Sequence, residues 1–277
     1  MTRTQITGSL IMLLWHALLY GSPDQPPLNE ITLQNFSHQG NGCPPGEASG
    51  LISEDGDAVT IIFDDFALSS DGATRRAQKK CRVNFQLQAR GWQYGIFSLE
   101  TRGYAWLEDR ANANITTRYR LERGSVVSLG SLNIPGAMDD NYLESFDIPL
   151  SSMQWSTCRR RQNLQVDTTI RLRTPQNSSA YITVDSIDGS ITNQLGIIWR
   201  NCDPKQRMNF VAICTQKRQW MRNNRLRQGR SVVRAVGKTR PIALQKAKDK
   251  AAKRCSTRAQ KRGGSCQGVP VCQVSPL

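Results

Sequence analysis

The chain has 277 residues with 37 Lys and Arg against 22 Asp and Glu, a formal charge of +15, eight cysteines and two histidines. That length accommodates two domains of ordinary size. His16 lies inside an N-terminal apolar run, so His38 is the histidine left to a processed chain; this excludes a multi-histidine metal centre and would oblige a Ser/His/Asp triad to recruit His38 from the N-terminal arm.

Arg3 precedes an apolar run from Leu10 to Tyr20, too short to span a bilayer and followed by Gly21-Ser22-Pro23. Residues 1–22 therefore read as a secretory signal, and the localisation expected is secreted, periplasmic or extracellular. No later segment is apolar enough to cross a membrane as a helix. Residues 23–41, with prolines, Asn, Gln and little periodicity, read as an extended lead-in.

From Gly42 the chain becomes short strands separated by turn residues, the pattern of an all-β sandwich over residues 42–203. Val59, Ile61 and Phe63 alternate with Thr60 and Ile62. In the next strand Val83, Phe85 and Leu87 point one way while Arg82, Asn84, Gln86 and Gln88 point the other. Tyr94 to Leu99 and Tyr104 to Leu107 read as two strands either side of Arg102-Gly103. Ile115, Thr117, Tyr119 and Leu121 form one face of a further strand, and Val126, Val127 and Leu129 open another. Leu164, Val166, Thr168, Ile170 and Leu172 give the cleanest alternation, with one face buried and one wet. Tyr181 to Ile187 and Ile191 to Trp199 flank Asp188-Gly189, a dipeptide that favours a tight hairpin. Nine or ten strands with hardly any helical period predict two packed antiparallel sheets.

Several of these residues resemble a known family. Gly42-Cys43-Pro44, the Lys80-Cys81 strand with Asn84 and Leu87, Arg102-Gly103-Tyr104, Trp155-Ser156-Thr157-Cys158, Val184-Asp185-Ser186 and Trp199-Arg200-Asn201-Cys202 are similar, over about residues 40–203, to the secreted family called domain of unknown function 4360. The resemblance implies an exported β-rich domain and brings no catalytic residues with it.

Residues 204–277 lie outside that resemblance. Phe210 to Cys214 and Ser231 to Val236 read as strands, Thr239 caps a helix with Pro241 in its first turn, and Val269 to Val274 returns as a strand after Gly263-Gly264. Leu244, Ala247, Ala251 and Cys255 form the helix's apolar stripe. The expected fold class is thus mainly β: an antiparallel two-sheet β-sandwich followed by a small disulfide-stapled α+β module of ββαβ order. A core this short is marginal alone, a physical reason for it to hold four cysteines.

The eight cysteines are spaced too widely for paired metal or redox motifs, so disulfides are expected; structural zinc is the alternative. Of about 105 complete pairings, sequence order favours Cys43–Cys81 and Cys158–Cys202 in the sandwich. In the module Cys214–Cys272 would join opening and closing strands, and Cys255–Cys266 would clip the helix end to the glycine return.

Charge divides the chain more sharply than any motif. Residues 23–203 carry 17 Lys and Arg against 21 Asp and Glu, net −4, whereas residues 204–277 carry 19 against Asp249 alone, net +18. Such a module repels itself unless anions neutralise it. The expectation is a non-enzymatic binding protein with no cofactor, whose partner is an anionic cell-surface polymer or membrane surface, nucleic acid being disfavoured by export and by the lack of a nucleic-acid motif. Lys246, Lys250, Lys253 and Arg254, away from the helix's apolar stripe, are the candidate anion-binding residues. The alternative is a polysaccharide hydrolase using Asp64 or Asp65. Those acids, with Glu54-Asp55-Gly56-Asp57, also leave calcium open, though acids at strand ends are ordinary turn chemistry. Trp92, Tyr94, Tyr104 and Trp106 are either core or a sugar-stacking platform, and Trp155 and Trp199 read as packing around a disulfide.

Overall fold

A computed structural model of the chain describes residues 25–71, 73–158, 160–184, 193–203, 210–222, 225–260 and 263–276. The signal segment and Asp188-Gly189 lie outside the described residues. Twelve strands build two antiparallel sheets: β1 (Thr32–Gln39), β2 (Ala48–Ile52), β3 (Ala58–Phe63), β4 (Ala67–Ser70), β5 (Arg76–Gln88), β6 (Trp92–Leu107), β7 (Asn112–Leu121), β8 (Val127–Pro135), β9 (Met138–Asp147), β10 (Asn163–Arg173), β11 (Ala180–Thr183) and β12 (Asn193–Asn201). One sheet runs β1-β5-β10-β7-β8; the other runs β2-β3-β12-β6-β11-β4, with β9 also paired to β6.

The period-2 patterns decide which residues meet. Val83, Phe85 and Leu87 on β5, Leu164, Val166, Thr168, Ile170 and Leu172 on β10, and Ile115, Thr117, Tyr119 and Leu121 on β7 are all buried, while the residues alternating with them face out. Across the interior, β6 and β12 supply Tyr94, Ile96, Leu99, Leu195 and Ile197. One polar thread crosses this core: Thr101 Oγ1 donates to Asn193 Oδ1 at 2.9 Å, and Asn193 Nδ2 donates to Thr168 Oγ1 at 2.9 Å on the opposite sheet. Because Asn193 is wholly buried, this pairing removes a desolvation cost and fixes the sheets' relative position.

Four expectations change. Residues 32–39 of the lead-in form the edge strand β1, with Thr32 opposite Gln88 and Gln39 opposite Arg82. Asn35 has φ 52° and the register shifts between Gln34 and Ser37, so the sequence alternation is broken there. The two strands expected around Arg102-Gly103 are one, β6. Gly103 marks a close approach instead of a turn, since a Cβ there would lie 2.1 Å from the Thr183 carbonyl oxygen. The strands flanking Asp188-Gly189 do not pair with each other: β12 (opposite residues 92–101) and β11 (opposite residues 105–107) lie end to end along one edge of β6, and β9 holds its other edge. Finally β9, unread in the sequence, pairs with β6 over ten residues. Its pattern is mostly half-buried, with no clean alternation to read.

The basic module is β13 (Phe210–Arg222), β14 (Arg225–Gly237), α1 (Arg240–Gln260) and β15 (Ser265–Pro276), in sheet order β14-β13-β15. The helix opens with Ala243 N bonded to Thr239 O and closes with Gly264 N bonded to Ala259 O. Its buried row is Ala243, Ala247, Ala251, Cys255 and Ala259; Ala243 replaces the expected Leu244, which sits at the flank. Side chains this small let the helix lie close on the sheet, where Gly237 gives it room: a Cβ there would be 2.7 Å from Ala243 N.

The described disulfides are Cys43–Cys81, Cys158–Cys202, Cys214–Cys272 and Cys255–Cys266, with Cα separations of 5.3, 5.8, 4.1 and 6.0 Å. Cys214 and Cys272 stand opposite each other on β13 and β15. Among the described residues the module's own buried cluster is Ala212, Cys214, Val233, Ala243, Ala247 and Ala251, with Phe210, Ala235, Cys272 and Val274 packed against it. On the sheet's other face Val211, Val232 and Val236 join the core of the sandwich. The module is therefore a third layer packed over the seven-stranded sheet.

Candidate functional site

The seam between module and sandwich is where opposite charges meet. On α1 the residues at intervals of four, Lys246, Lys250, Arg254 and Arg258, form one row beside the buried alanine row. Lys250 Nζ pairs with Asp57. Arg254 donates to Val232 O and to Gln194 Oε1, each at 3.2 Å. Arg258 grips Glu100 with both guanidinium nitrogens, at 2.6 and 3.0 Å. From β14, Arg230 pairs with Glu144 at 3.2 Å.

A bulge shapes the facing surface. The register of β12 on β6 shifts between Gly196 and Ile197, which turns Phe97 outward to the module, under the Arg234 guanidinium at 4.4 Å from its ring centroid. Arg234 Nη2 donates to Ile197 O at 3.3 Å. Phe97, Trp199, Asp57, Arg234, Lys246 and Lys250 line a cavity of about 200 Å³.

The ionisable groups respond to this arrangement. Burial pulls the Glu100 carboxyl upward, but the guanidinium groups of Arg258, Arg254 and Arg102 outweigh it and hold the pKa at about 2. Burial likewise raises Asp55, yet hydrogen bonds from Asp57 and Ser53 and the charge of Lys250 bring it to about 2. Asp57 moves the other way, raised by burial and by Asp55 against the pull of Lys250. Burial lowers Arg234 to about 9, opposed by Asp57. It also lowers Arg254, with repulsion from Arg258 acting in the same direction.

The four cations singled out from sequence therefore do not share one outward face. Lys250 and Arg254 are turned to the sandwich, Lys246 lines the seam cavity, and Lys253 is exposed. Glu100, Arg234 and Arg258 were missed. The four-residue spacing of 246, 250, 254 and 258 was a visible signal, but which flank meets acids depends on the sheet beneath.

Asp64 and Asp65 are exposed on the turn after β3. Of the acids the sequence offered for hydrolysis or calcium, the perturbed ones are Asp55 and Asp57, and Lys250 occupies Asp57. Among the described residues no group of three or more His, Cys, Asp or Glu is placed to hold a metal ion. The aromatic residues divide. Tyr94 is in the core, edge-on to Trp199, whose Nε1 donates to Gly56 O at 2.8 Å. Tyr104 and Trp106 lie on the outer face with Tyr181, and Tyr104 Oη donates to Asp139 at 2.6 Å. Trp155 bridges to β6 and carries the Arg200 guanidinium 4.1 Å from its ring centroid.

The family described as "Domain of unknown function (DUF4360)" matches residues 29–202, which include β1 and end at Cys202. An "Uncharacterized secreted protein" of Arthroderma benhamiae is 27% identical over 186 residues, covering 66% of this chain and 76% of that protein. Among the described residues no helix is long and apolar enough to cross a membrane.

Proposed function

This chain belongs to the family described as a domain of unknown function (DUF4360), and from that premise we propose that it is a secreted, non-enzymatic binding protein that holds anionic polysaccharide through the outward cations of its basic module. The carrying observation is that the seam does not absorb the module's charge. Lys217, Arg240, Lys248 and Lys253 are exposed, while Asp249, the module's single acid, is bonded by Gln245. Like charges on so small a body repel, and an extended polyanion relieves that repulsion. Secretion supports a cell-surface polymer over nucleic acid.

The test is a salt gradient on an immobilised anionic polysaccharide. The full chain should elute well above physiological ionic strength, where the Debye length is about 8 Å. Replacing Lys217, Lys248 and Lys253 by Gln should move elution to clearly lower salt. Elution that ignores both salt and these substitutions would reject the reading. Preference for anionic vesicles over the polysaccharide would reassign the partner to a membrane surface.

A further inference from the structure

The outer face of the five-stranded sheet contradicts the charge of the sandwich that carries it. Residues 23–203 are net negative, yet seven of their 17 cations and one of their 21 carboxylates alternate outward on β5, β10 and β7. The register orders them. Arg82, Asp167 and Arg118 form one row across the three strands, and Lys80, Thr169 and Thr116 form the next. Arg171 follows on β10, opposite Gln78 and Asn114. Adjacent strands lie about 4.8 Å apart and successive same-face residues about 6.7 Å apart, so these cations crowd a patch on the order of 15 Å wide. Asp167 is engaged by Arg82 at 2.6 Å and by the Gln165 amide at 2.6 Å. Among the described residues no ion pair joins Lys80, Arg118 or Arg171 to a carboxylate.

The face is also hollowed. A depression of about 550 Å³ crosses the strands from Gly40 at one side to Val126 at the other, with Lys80, Arg82, Arg118 and Arg171 along it. The basic module packs on the other sheet, and none of its described residues lines this depression.

We infer that this trough is a second binding site, for a segment of an extended polysaccharide bearing carboxylate or sulfate groups. Guanidinium forks match those anions in two-point geometry. Between the cations stand Thr116, Thr169, Gln78 and Asn114, whose amides and hydroxyls can exchange hydrogen bonds with sugar hydroxyls. No aromatic ring lies on the outward positions of β5, β10 and β7. Stacking of neutral sugars or nucleobases is therefore not what this face offers. It also lacks the aromatic anchors on which protein partners concentrate binding energy.

The inference rests on the proposed reading as a binder of anionic polysaccharide, and separate variants distinguish the two. The probe is polygalacturonate, titrated into the full chain by calorimetry at low and physiological salt, with the methyl-esterified polymer and single-stranded DNA as comparators. Replacing Lys80, Arg118 and Arg171 together by Gln should weaken binding at least tenfold, with unchanged circular dichroism. Thr169→Trp, which fills the trough and keeps every cation, should weaken it comparably, so the inference does not depend on charge removal alone. Both sheet variants binding like the parent while the Lys217, Lys248 and Lys253 variant loses affinity would overturn the second site and leave the module's role standing. Failure of the parent to bind at low salt would overturn both. Equal affinity for DNA, lost in the same sheet variants, would overturn polysaccharide as the occupant.

Discussion

The bidentate Glu100–Arg258 pair makes the seam measurable. Glu100 is held at about 2 in place of an ordinary 4.5, and at about 1.36 kcal/mol per pH unit that difference corresponds to about 3 kcal/mol of stability. The partners are 11% and 22% exposed, so solvent screening trims this only modestly, and removing one member of a buried pair costs about 3–5 kcal/mol. Glu100→Gln should thus lose about 3 kcal/mol at pH 7, read from urea unfolding with disulfides intact. The sign follows from the direction of the shift. A carboxyl whose folded pKa is depressed contributes fully above about pH 4.5 and loses its contribution as pH falls toward about 2, because the unfolded chain binds the proton first. The deficit of Glu100→Gln should therefore shrink to less than half by pH 3. A loss under about 1 kcal/mol at pH 7, or one that is the same at pH 3, would refute the claim that this pair latches the module.

Gly103→Ala should destabilise by about 1–3 kcal/mol in the same assay, because its Cβ would stand 2.1 Å from Thr183 O and 2.5 Å from Tyr142 Oη; a neutral outcome would mean that β6 and β9 separate easily. Asn193→Val should cost about 1–3 kcal/mol in calorimetric unfolding by leaving the buried Thr101 hydroxyl without the Asn193 acceptor and Thr168 with Thr117 alone. Removing Cys43–Cys81, which spans 38 residues, should cost about 4 kcal/mol, more than the roughly 3 kcal/mol for Cys255–Cys266 across 11. Equal losses would show that chain entropy is not what separates them. A chain ending at Asp203 should bind a hydrophobic dye and aggregate, since Val211, Val232 and Val236 cover apolar surface of the sandwich; a well-behaved truncated sandwich would refute the shared core.

The periodicities of β5, β7 and β10 were readable from residues alone because each strand has one dry and one wet face, and side-chain period is a local property of extended chain. The same holds for the ββαβ order of the module, whose turn residues and helix cap act within a few positions. Secretion followed from the N-terminal run and the even cysteine set, and belongs to the same local grammar. Sheet membership did not. That β11 and β12 share one edge of β6 while β9 takes the other, or that a broken alternation at Asn35 still pairs as β1, depends on backbone partners far away in sequence. The division of charge, −4 against +18, was plain from composition, but its disposition was not. Tertiary structure decided that Lys250, Arg254 and Arg258 turn inward to the sandwich while Lys80, Arg118 and Arg171 of the acidic region gather on an open sheet. The physical reason is that a charge's energy is set by the dielectric and partners around it, which only the packing of one layer on another creates.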